Sequence, residues 1–153
     1  CIIGSRVIVA SGAVIGGHVT VGDGAFLSGN VAVHQFCRIG RLAMVSGLAG
    51  VNLDIPPFCL AEGHKARIRG LNVVGLRRAG IDAASRSELK RLIKAIYNPH
   101  TTPGEAIASL KAESEVGAEL LDFYRSSQRG VAGYTMARHI GAHGEAASGE
   151  VED

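Results

Sequence analysis

The chain lacks the residues around which most globular cores are packed. It has no tryptophan, and aromatic residues make up 5% of its 153 positions, whereas glycine occurs 21 times. Few rings and many glycines disfavour a globule packed on aromatic side chains and favour a stack of tight turns. The length predicts one domain, or one domain with an appendage.

Other absences disfavour several function classes. The net charge of +2 predicts no nucleic-acid partner. No run of about 18 apolar residues is present, so no membrane span is predicted. The three cysteines show no paired spacing, and no signal peptide is recognisable, so we expect a reduced, cytoplasmic compartment. The chain also has no GxSxG, P-loop or GxGxxG motif.

What the first third contains is a strict six-residue period. An aliphatic residue stands at every sixth position, and a mostly small apolar residue follows each one four positions later. A helix cannot keep this spacing on one face, because it has about 3.6 residues per turn. Hexapeptide repeats of a parallel β-helix can keep it. The aliphatic positions are Ile3, Val9, Ile15, Val21, Leu27, Val33, Ile39, Val45 and Val51.

The repeat and its end predict four segments. Residues 1–62 form β-helix coils, which stop at the prolines of Asp54-Ile55-Pro56-Pro57. Residues 63–80 form a connecting segment, of which residues 63–76 are irregular or weakly stranded. Residues 81–128 form helices, and residues 129–153 form a disordered tail. Because the repeat is already in phase at Ile3 without a distinct capping coil, we expect the chain to be the C-terminal portion of a longer protein.

The helical part carries recognisable start signals. A Ser or Thr followed three residues later by Glu forms a capping box, and proline is favoured at the first helical position. The predicted starts are Ser85 with Glu88, Thr102 with Pro103 and Glu105, and Glu115 for a helix that ends near Ser126.

Two histidines interrupt the repeat and are the candidates for chemistry. An isolated histidine such as His18 is most often a solvated residue at the edge of a coil. His34 is followed by Gln35, whose amide suits recognition of a sugar or nucleotide. A zinc site would need a third converging ligand, so no metal is predicted. Cys37 occupies an inward position and is expected in the core.

Three segments resemble the acyl-ACP:UDP-N-acetylglucosamine O-acyltransferases of lipid A biosynthesis. The resemblance spans roughly residues 1–130 and is carried by Ala32–Cys37 (AVHQFC), Asp54–Phe58 (DIPPF) and Gly70–Arg78 (GLNVVGLRR). It implies a left-handed parallel β-helix followed by a C-terminal α-helical domain. It also implies a homotrimer whose active sites lie in the grooves between subunits. The left-handed sense comes from the resemblance and not from the spacing.

The resemblance further implies an activity and its residues. A (3R)-hydroxyacyl group would pass from acyl carrier protein to the 3-hydroxyl of UDP-N-acetylglucosamine, the first step of lipid A biosynthesis, without a cofactor. His18, His34 and Gln35 would line the sugar and acyl site. Asn72 and Arg78 would contact the nucleotide and its phosphates. The acyl channel would be bordered by Met44 and by Gly47, where side-chain size would limit the acyl chain length.

Four departures from the family pattern bear on this implication. The family's general-base histidine stands shortly before the cysteine that aligns with Cys1, so we expect this chain to be inactive alone. Lys65 stands where histidine is common. Val74 replaces a frequent glutamate and Ala79 replaces one of two successive arginines, which alters the expected nucleotide contacts.

Three alternatives remain open at this point. The related UDP-3-O-acylglucosamine N-acyltransferase acts on an amino sugar. A non-catalytic trimeric scaffold would use the repeat alone. A hexapeptide-repeat carbonic anhydrase would bind zinc.

Overall fold

The computed structural model describes residues 1–135 and shows one short strand in each six-residue repeat. Each strand pairs in parallel with the strand three repeats later, as Ile2 does with Thr20 and Ile8 with Phe26. Three strands therefore complete one coil of a three-sided prism. The strands are β1 Ile2–Ile3, β2 Ile8–Val9, β3 Val14–Ile15, β4 Thr20–Val21, β5 Phe26–Leu27, β6 Ala32–Val33, β7 Arg38–Ile39, β8 Met44–Val45 and β9 Gly50–Val51.

Three sheets form the sides of the prism. They contain β1-β4-β7, β2-β5-β8 and β3-β6-β9. The second sheet is extended by a hairpin of β10 (Cys59–Glu62) and β11 (Arg67–Leu71), in which β10 runs parallel to β8 and antiparallel to β11. The hairpin was not predicted from the sequence. The predicted parallel β-helix is confirmed.

Two-residue turns form the three corners of the prism. Corner 1 consists of residues 5–6, 23–24 and 41–42, and corner 2 of residues 11–12, 29–30 and 47–48. Corner 3 consists of residues 17–18 and 35–36. Residues at the same corner of successive coils lie above one another, because an amide of the later coil donates to a carbonyl of the preceding coil, as Phe36 does to Gly17 at 2.9 Å.

The core is a column of aliphatic and small side chains inside the prism. The inward residues of the second and third coils, among them Val21, Leu27 and Cys37, are fully buried. In the first coil, Ile3 and Val9 remain 46% and 45% exposed, because the described chain covers them on one side only. The predicted inward position of Cys37 is confirmed.

Within residues 1–135, four helices follow the hairpin: α1 Val73–Arg78, α2 Ala83–Ile96, α3 Pro103–Ser109 and α4 Glu115–Ser126. The helix α1 lies in the predicted connecting segment. Its start depends on Asn72, whose side-chain oxygen accepts a hydrogen bond from the Gly75 amide at 3.1 Å. The predicted capping box of Thr102 and Glu105 is confirmed at the start of α3.

The capping box predicted for Ser85 and Glu88 is wrong. Asp82 is the N-cap of α2, and its carboxylate accepts from the Ser85 amide at 2.7 Å. Glu88 is instead buried and accepts from the amides of Glu113 and Ser114 at 3.2 Å. Its carboxylate therefore ties α2 to the two residues directly before α4, a contact between segments that local spacing does not reveal.

The helices are fastened to the last coil through two arginines. Arg41 forms a two-pronged ion pair with Glu119 of α4 at 2.9–3.2 Å. Arg38 donates to the Phe123 carbonyl at 2.9 Å and to the Asp54 carboxylate at 3.3 Å. The helical part therefore packs onto the end of the coil stack.

The sequence analysis placed residues 129–153 in a disordered tail, and the structure differs for the first seven of them. Val131 forms a parallel bridge with Asp54, and Tyr134 forms one with Ile68. Ala132 is buried. Residues 129–135 therefore pack along the end of the β-helix, whereas residues 136–153 lie outside the described part of the chain.

Gly22 offers a direct test of how closely the coils stack. A Cβ atom at Gly22 would lie 2.6 Å from the Arg41 amide nitrogen and 2.9 Å from its Cα, which are backbone atoms that cannot move aside. We expect Gly22→Ala to lower the free energy of unfolding by about 2 kcal/mol, measured by urea denaturation. Gly17→Ala is the matched control, because a Cβ there meets no atom within 4 Å. Equal stability of the two variants would contradict the close stacking.

Candidate active-site groove

The site is built on corner 3, where two aromatic side chains project from the prism. His18 and Phe36 occupy equivalent positions in successive turns and both adopt left-handed backbone conformations, with φ of 59° and 65°. Their rings stack with centroids 4.8 Å apart and an interplanar angle of 3°. The coil register therefore stacks Phe36 on His18, where its ring supports the imidazole.

A groove runs beside this corner along the outer face of the β3-β6-β9 sheet, with a volume of about 650 Å³. Its floor consists of small residues such as Ala32 and Gly50, and His34 and Gln35 stand at its edge. Both of these predicted site residues are solvent-exposed. The structure therefore places them together at the edge of an open groove that a ligand can enter.

The turn of the hairpin forms the opposite wall of the groove. Gly50 donates to the Gly63 carbonyl at 3.0 Å and accepts from the Ala66 amide at 2.9 Å. This pairing brings His64 and Lys65 to the groove. His64 was not a sequence-based candidate. The signal that could have identified it is its place in a short turn after the last repeat.

Arg129 is a second residue that the sequence analysis missed. Its Nη2 lies 2.9 Å from Nδ1 of His34, and its Nε donates to the Asn52 carbonyl at 2.7 Å. The two residues are separated by 95 positions. No local motif connects them, so only the packing of residues 129–135 reveals the contact.

The predicted nucleotide-binding residues lie elsewhere on the chain. The Asn72 side-chain amide donates to the Leu42 carbonyl at corner 1, at 3.0 Å, while its oxygen caps α1. Arg78 is exposed in the last turn of α1. Within one chain, neither residue lines the groove that contains His34.

The predicted acyl-channel residues occupy a third region. Met44 lies on β8, paired with Phe26 and Leu60 of the neighbouring strands. Gly47 lies in the following turn at corner 2 and is exposed. The site residues predicted from the sequence therefore lie in three separate regions around the prism, and one copy of the chain does not bring them together.

Cysteine chemistry is disfavoured by burial. Cys37 and Cys59 are fully buried, and this desolvation raises the pKa of both thiols. A raised pKa leaves less of the nucleophilic thiolate at neutral pH. The two residues therefore act as small core side chains.

Residues 1–135 contain neither a metal-ligand cluster nor a membrane-spanning helix. No group of three or more His, Cys, Asp or Glu side chains in this range is arranged to hold a metal ion. No helix in the same range is long and apolar enough to cross a bilayer.

A second hollow of about 730 Å³ lies between β11 and α2. Its apolar floor includes Leu71 and Ile93, and Lys90 and Lys94 stand among its lining residues. None of the predicted site residues lines it. Of these two cavities, only the groove beside corner 3 is lined by predicted site residues, namely His34 and Gln35.

Comparison with known proteins gives one family. The model of UDP N-acetylglucosamine O-acyltransferase, domain 2, matches residues 54–132. An acyl-[acyl-carrier-protein]–UDP-N-acetylglucosamine O-acyltransferase of Anaeromyxobacter is 42% identical over 134 residues, which cover 86% of this chain and 52% of the relative. The enzyme of the same name from Neisseria gonorrhoeae is 47% identical over the same coverage. The chain thus spans about half the length of the curated relatives it matches.

Solved structures give the same likeness. The UDP-N-acetylglucosamine acyltransferase of Campylobacter jejuni superposes with a TM-score of 0.83 at 35% identity, covering 88% of this chain and 54% of that one. The Arabidopsis enzyme of the same name gives a TM-score of 0.81 at 31% identity, covering 86% and 50%.

The buried cysteines make a testable prediction. In a Cys1→Ser background, we expect neither Cys37 nor Cys59 to react with a water-soluble disulfide reagent at pH 7 or at pH 9, because burial raises the pKa of both thiols. Unfolding in urea should expose both to rapid reaction, which absorbance of the released thiolate measures. Rapid reaction of one equivalent in the folded protein would contradict the buried assignment.

Proposed function

The chain belongs to the UDP-N-acetylglucosamine O-acyltransferase family, and we propose that it carries part of the active site of such an enzyme. Within the whole protein, that site transfers a (3R)-hydroxyacyl group from acyl carrier protein to the 3-hydroxyl of UDP-N-acetylglucosamine, the first step of lipid A biosynthesis. The observation that carries the proposal is the corner-3 groove, where His34 and Gln35 line an open cleft on a β-helix of this family.

The chemistry of the transfer assigns roles to these side chains. The sugar hydroxyl loses its proton to a base as its oxygen attacks the thioester carbonyl, and the thiolate of the carrier protein leaves. Groups that donate to the developing oxyanion or orient the sugar stabilise this step. His18, His34 and Gln35 are assigned to binding and orientation, since the Gln35 amide can both donate to and accept from a sugar.

We propose that the active enzyme is a homotrimer, because the site is divided around the prism. His34 lies directly before corner 3, while Asn72 lies against corner 1 and Gly47 occupies corner 2. Association of three copies about a common axis would set corner 3 of one copy against another face of its neighbour. The groove would then acquire its nucleotide-binding and acyl-binding residues from a neighbouring subunit.

Exposed apolar side chains at two corners support this association. Phe36 is 55% exposed at corner 3 and Leu48 is 66% exposed at corner 2. Aromatic side chains such as that of Phe36 are enriched at contacts between protein molecules. Native mass spectrometry of the whole protein tests the state, and a monomer at assay concentration would contradict the shared site.

The activity itself is tested with the whole protein, UDP-N-acetylglucosamine and a hydroxyacyl-loaded acyl carrier protein. We expect an O-acylated nucleotide sugar, identified by mass spectrometry. His34→Ala should lower kcat/KM at least about tenfold, because a hydrogen bond to substrate is lost. His100→Ala is the matched control, since His100 is exposed in the turn after α2.

The outcome also separates the candidate activities. Transfer to the nitrogen of an amino-sugar acceptor, without transfer to the acetylated sugar, would favour the related N-acyltransferase. Absence of product from either acceptor, with an active control enzyme in parallel, would contradict the acyltransferase proposal and leave the scaffold hypothesis.

Gly47 is proposed to limit the acyl chain length. Its position is exposed and its backbone leaves room for a side chain, with the Gly29 carbonyl 3.4 Å from a Cβ. We expect Gly47→Met to reduce the rate with the longest accepted acyl chain at least about tenfold, because the added side chain would fill the end of the channel. Competition between acyl donors of different length, followed by mass spectrometry, measures this.

Gly104→Met is the control for that experiment. Gly104 lies in the first turn of α3, and a Cβ there meets no atom within 4 Å. The control should keep the original profile of chain lengths. An unchanged profile in Gly47→Met would remove this residue from the acyl channel.

A further inference from the structure

Arg129 lies near the end of the described chain, and its side chain contacts the imidazole of His34. The guanidinium makes two contacts that fix its plane: Nε donates to the Asn52 carbonyl at 2.7 Å, and Nη2 lies 2.9 Å from Nδ1 of His34. Arg129 is half-buried. The side chain is therefore held between the last coil and the edge of the groove.

The backbone around Arg129 is fixed on both sides by Asp54, which is 1% exposed. The Ser127 hydroxyl donates to the Asp54 carboxylate at 2.8 Å. The Asp54 amide donates to the Gly130 carbonyl and the Ala132 amide donates to the Asp54 carbonyl, both at 2.9 Å. The position of the guanidinium beside His34 is thus set by a buried network and not by a flexible side chain alone.

Nδ1 of His34 has a second neighbour with the opposite requirement. The Gln35 carbonyl oxygen lies 3.1 Å from it. A carbonyl can only accept a hydrogen bond, so that contact requires a proton on Nδ1. A guanidinium can only donate, so the Arg129 contact requires Nδ1 without a proton. The two neighbours therefore favour different tautomers of the neutral imidazole.

Charge decides between the two neighbours. The guanidinium is permanently charged, and hydrogen bonds with an ionised partner are roughly twice as strong as neutral ones. The Arg129 contact is also the shorter of the two. The unprotonated Nδ1 is therefore preferred, and the ring proton lies on Nε2.

We propose that Arg129 is a positioning residue that holds His34 in the Nε2–H tautomer. Nε2 makes no hydrogen bond within residues 1–135, so it is available to donate to an acceptor oxygen of a ligand in the groove. His34 then serves as a hydrogen-bond donor and not as a base. The tautomer follows from the contacts described here, whereas the identity of the ligand rests on the proposed function.

The test reads the tautomer directly in the whole protein. Nitrogen NMR of histidine-labelled protein distinguishes a protonated from an unprotonated ring nitrogen, and His34→Gln assigns the signals. We expect His34 to be Nε2–H in the original protein and Nδ1–H in Arg129→Met, where the Gln35 carbonyl remains the only neighbour of Nδ1. A proton on Nδ1 in the original protein, or an unchanged tautomer in Arg129→Met, would overturn the proposal.

Two further variants separate positioning from simple stabilisation. Arg125→Met removes the same charge from α4, where Arg125 contacts the Ile107 and Leu110 carbonyls, and should leave the His34 signals unchanged. Arg129→Lys keeps a charged donor and should restore the Nε2–H form. A fall in melting temperature in Arg129→Met with the His34 tautomer unchanged would assign Arg129 a structural role only, and would overturn the proposal.

Kinetics add a readout that depends on the proposed function. We expect Arg129→Met to lower kcat/KM for acyl transfer about tenfold, with partial recovery in Arg129→Lys. The NMR arm needs no turnover, so it decides the tautomer even if the original protein shows no acyltransferase activity. Lack of activity would contradict the proposed function, and the spectra alone would then support or overturn the role of Arg129.

Discussion

The parallel hydrogen-bond register between coils determines the rest of the structure. Each short strand donates to and accepts from the strand three repeats later, so side chains at one corner are superimposed along the stack. This register requires backbones to pass so closely that Gly22 has no room for a Cβ beside Arg41. It also stacks His18 on Phe36. Packing of the core and presentation of the groove are therefore consequences of one repeated backbone geometry.

At the end of the coil stack, specific polar contacts replace the hexapeptide repeat. Asp54 is buried, yet its carboxylate accepts from the Arg38 amide and side chain and from the Ser127 hydroxyl. A buried charge is tolerated when it is paired and hydrogen-bonded in this way. Because the same residue pairs through its backbone with residues 130–132, it joins the coils, α4 and the end of the described chain. Removal of its partners would leave a desolvated carboxylate, so substitution of Arg38 or Ser127 would destabilise this junction.

The parts of the fold that the sequence predicts are those encoded by local spacing. Nine repeats and the capping box of Thr102 and Glu105 are local patterns, and both are found in the structure. Glu88 follows Ser85 at capping-box spacing, but Asp82 caps α2, and Glu88 instead accepts from the amides of Glu113 and Ser114 directly before α4. Residues 129–135 have no periodicity, and their order depends on Asp54. Arg129 and His64 reach the groove through such long-range pairing, which explains why the sequence analysis did not assign them.

The coils and the segment packed on their end determine different properties of His34. The register between coils fixes the position of His34 at the groove. Any polar residue at that position would face the groove in the same way. The register does not decide which ring nitrogen carries the proton, because the adjacent Gln35 carbonyl, supplied by the coil itself, favours Nδ1–H. Arg129 favours the Nε2–H tautomer instead, and the hydrogen bonds of Asp54 hold Arg129 beside His34. The same hexad could therefore present a base or a donor, and the choice is made by a residue outside the repeat.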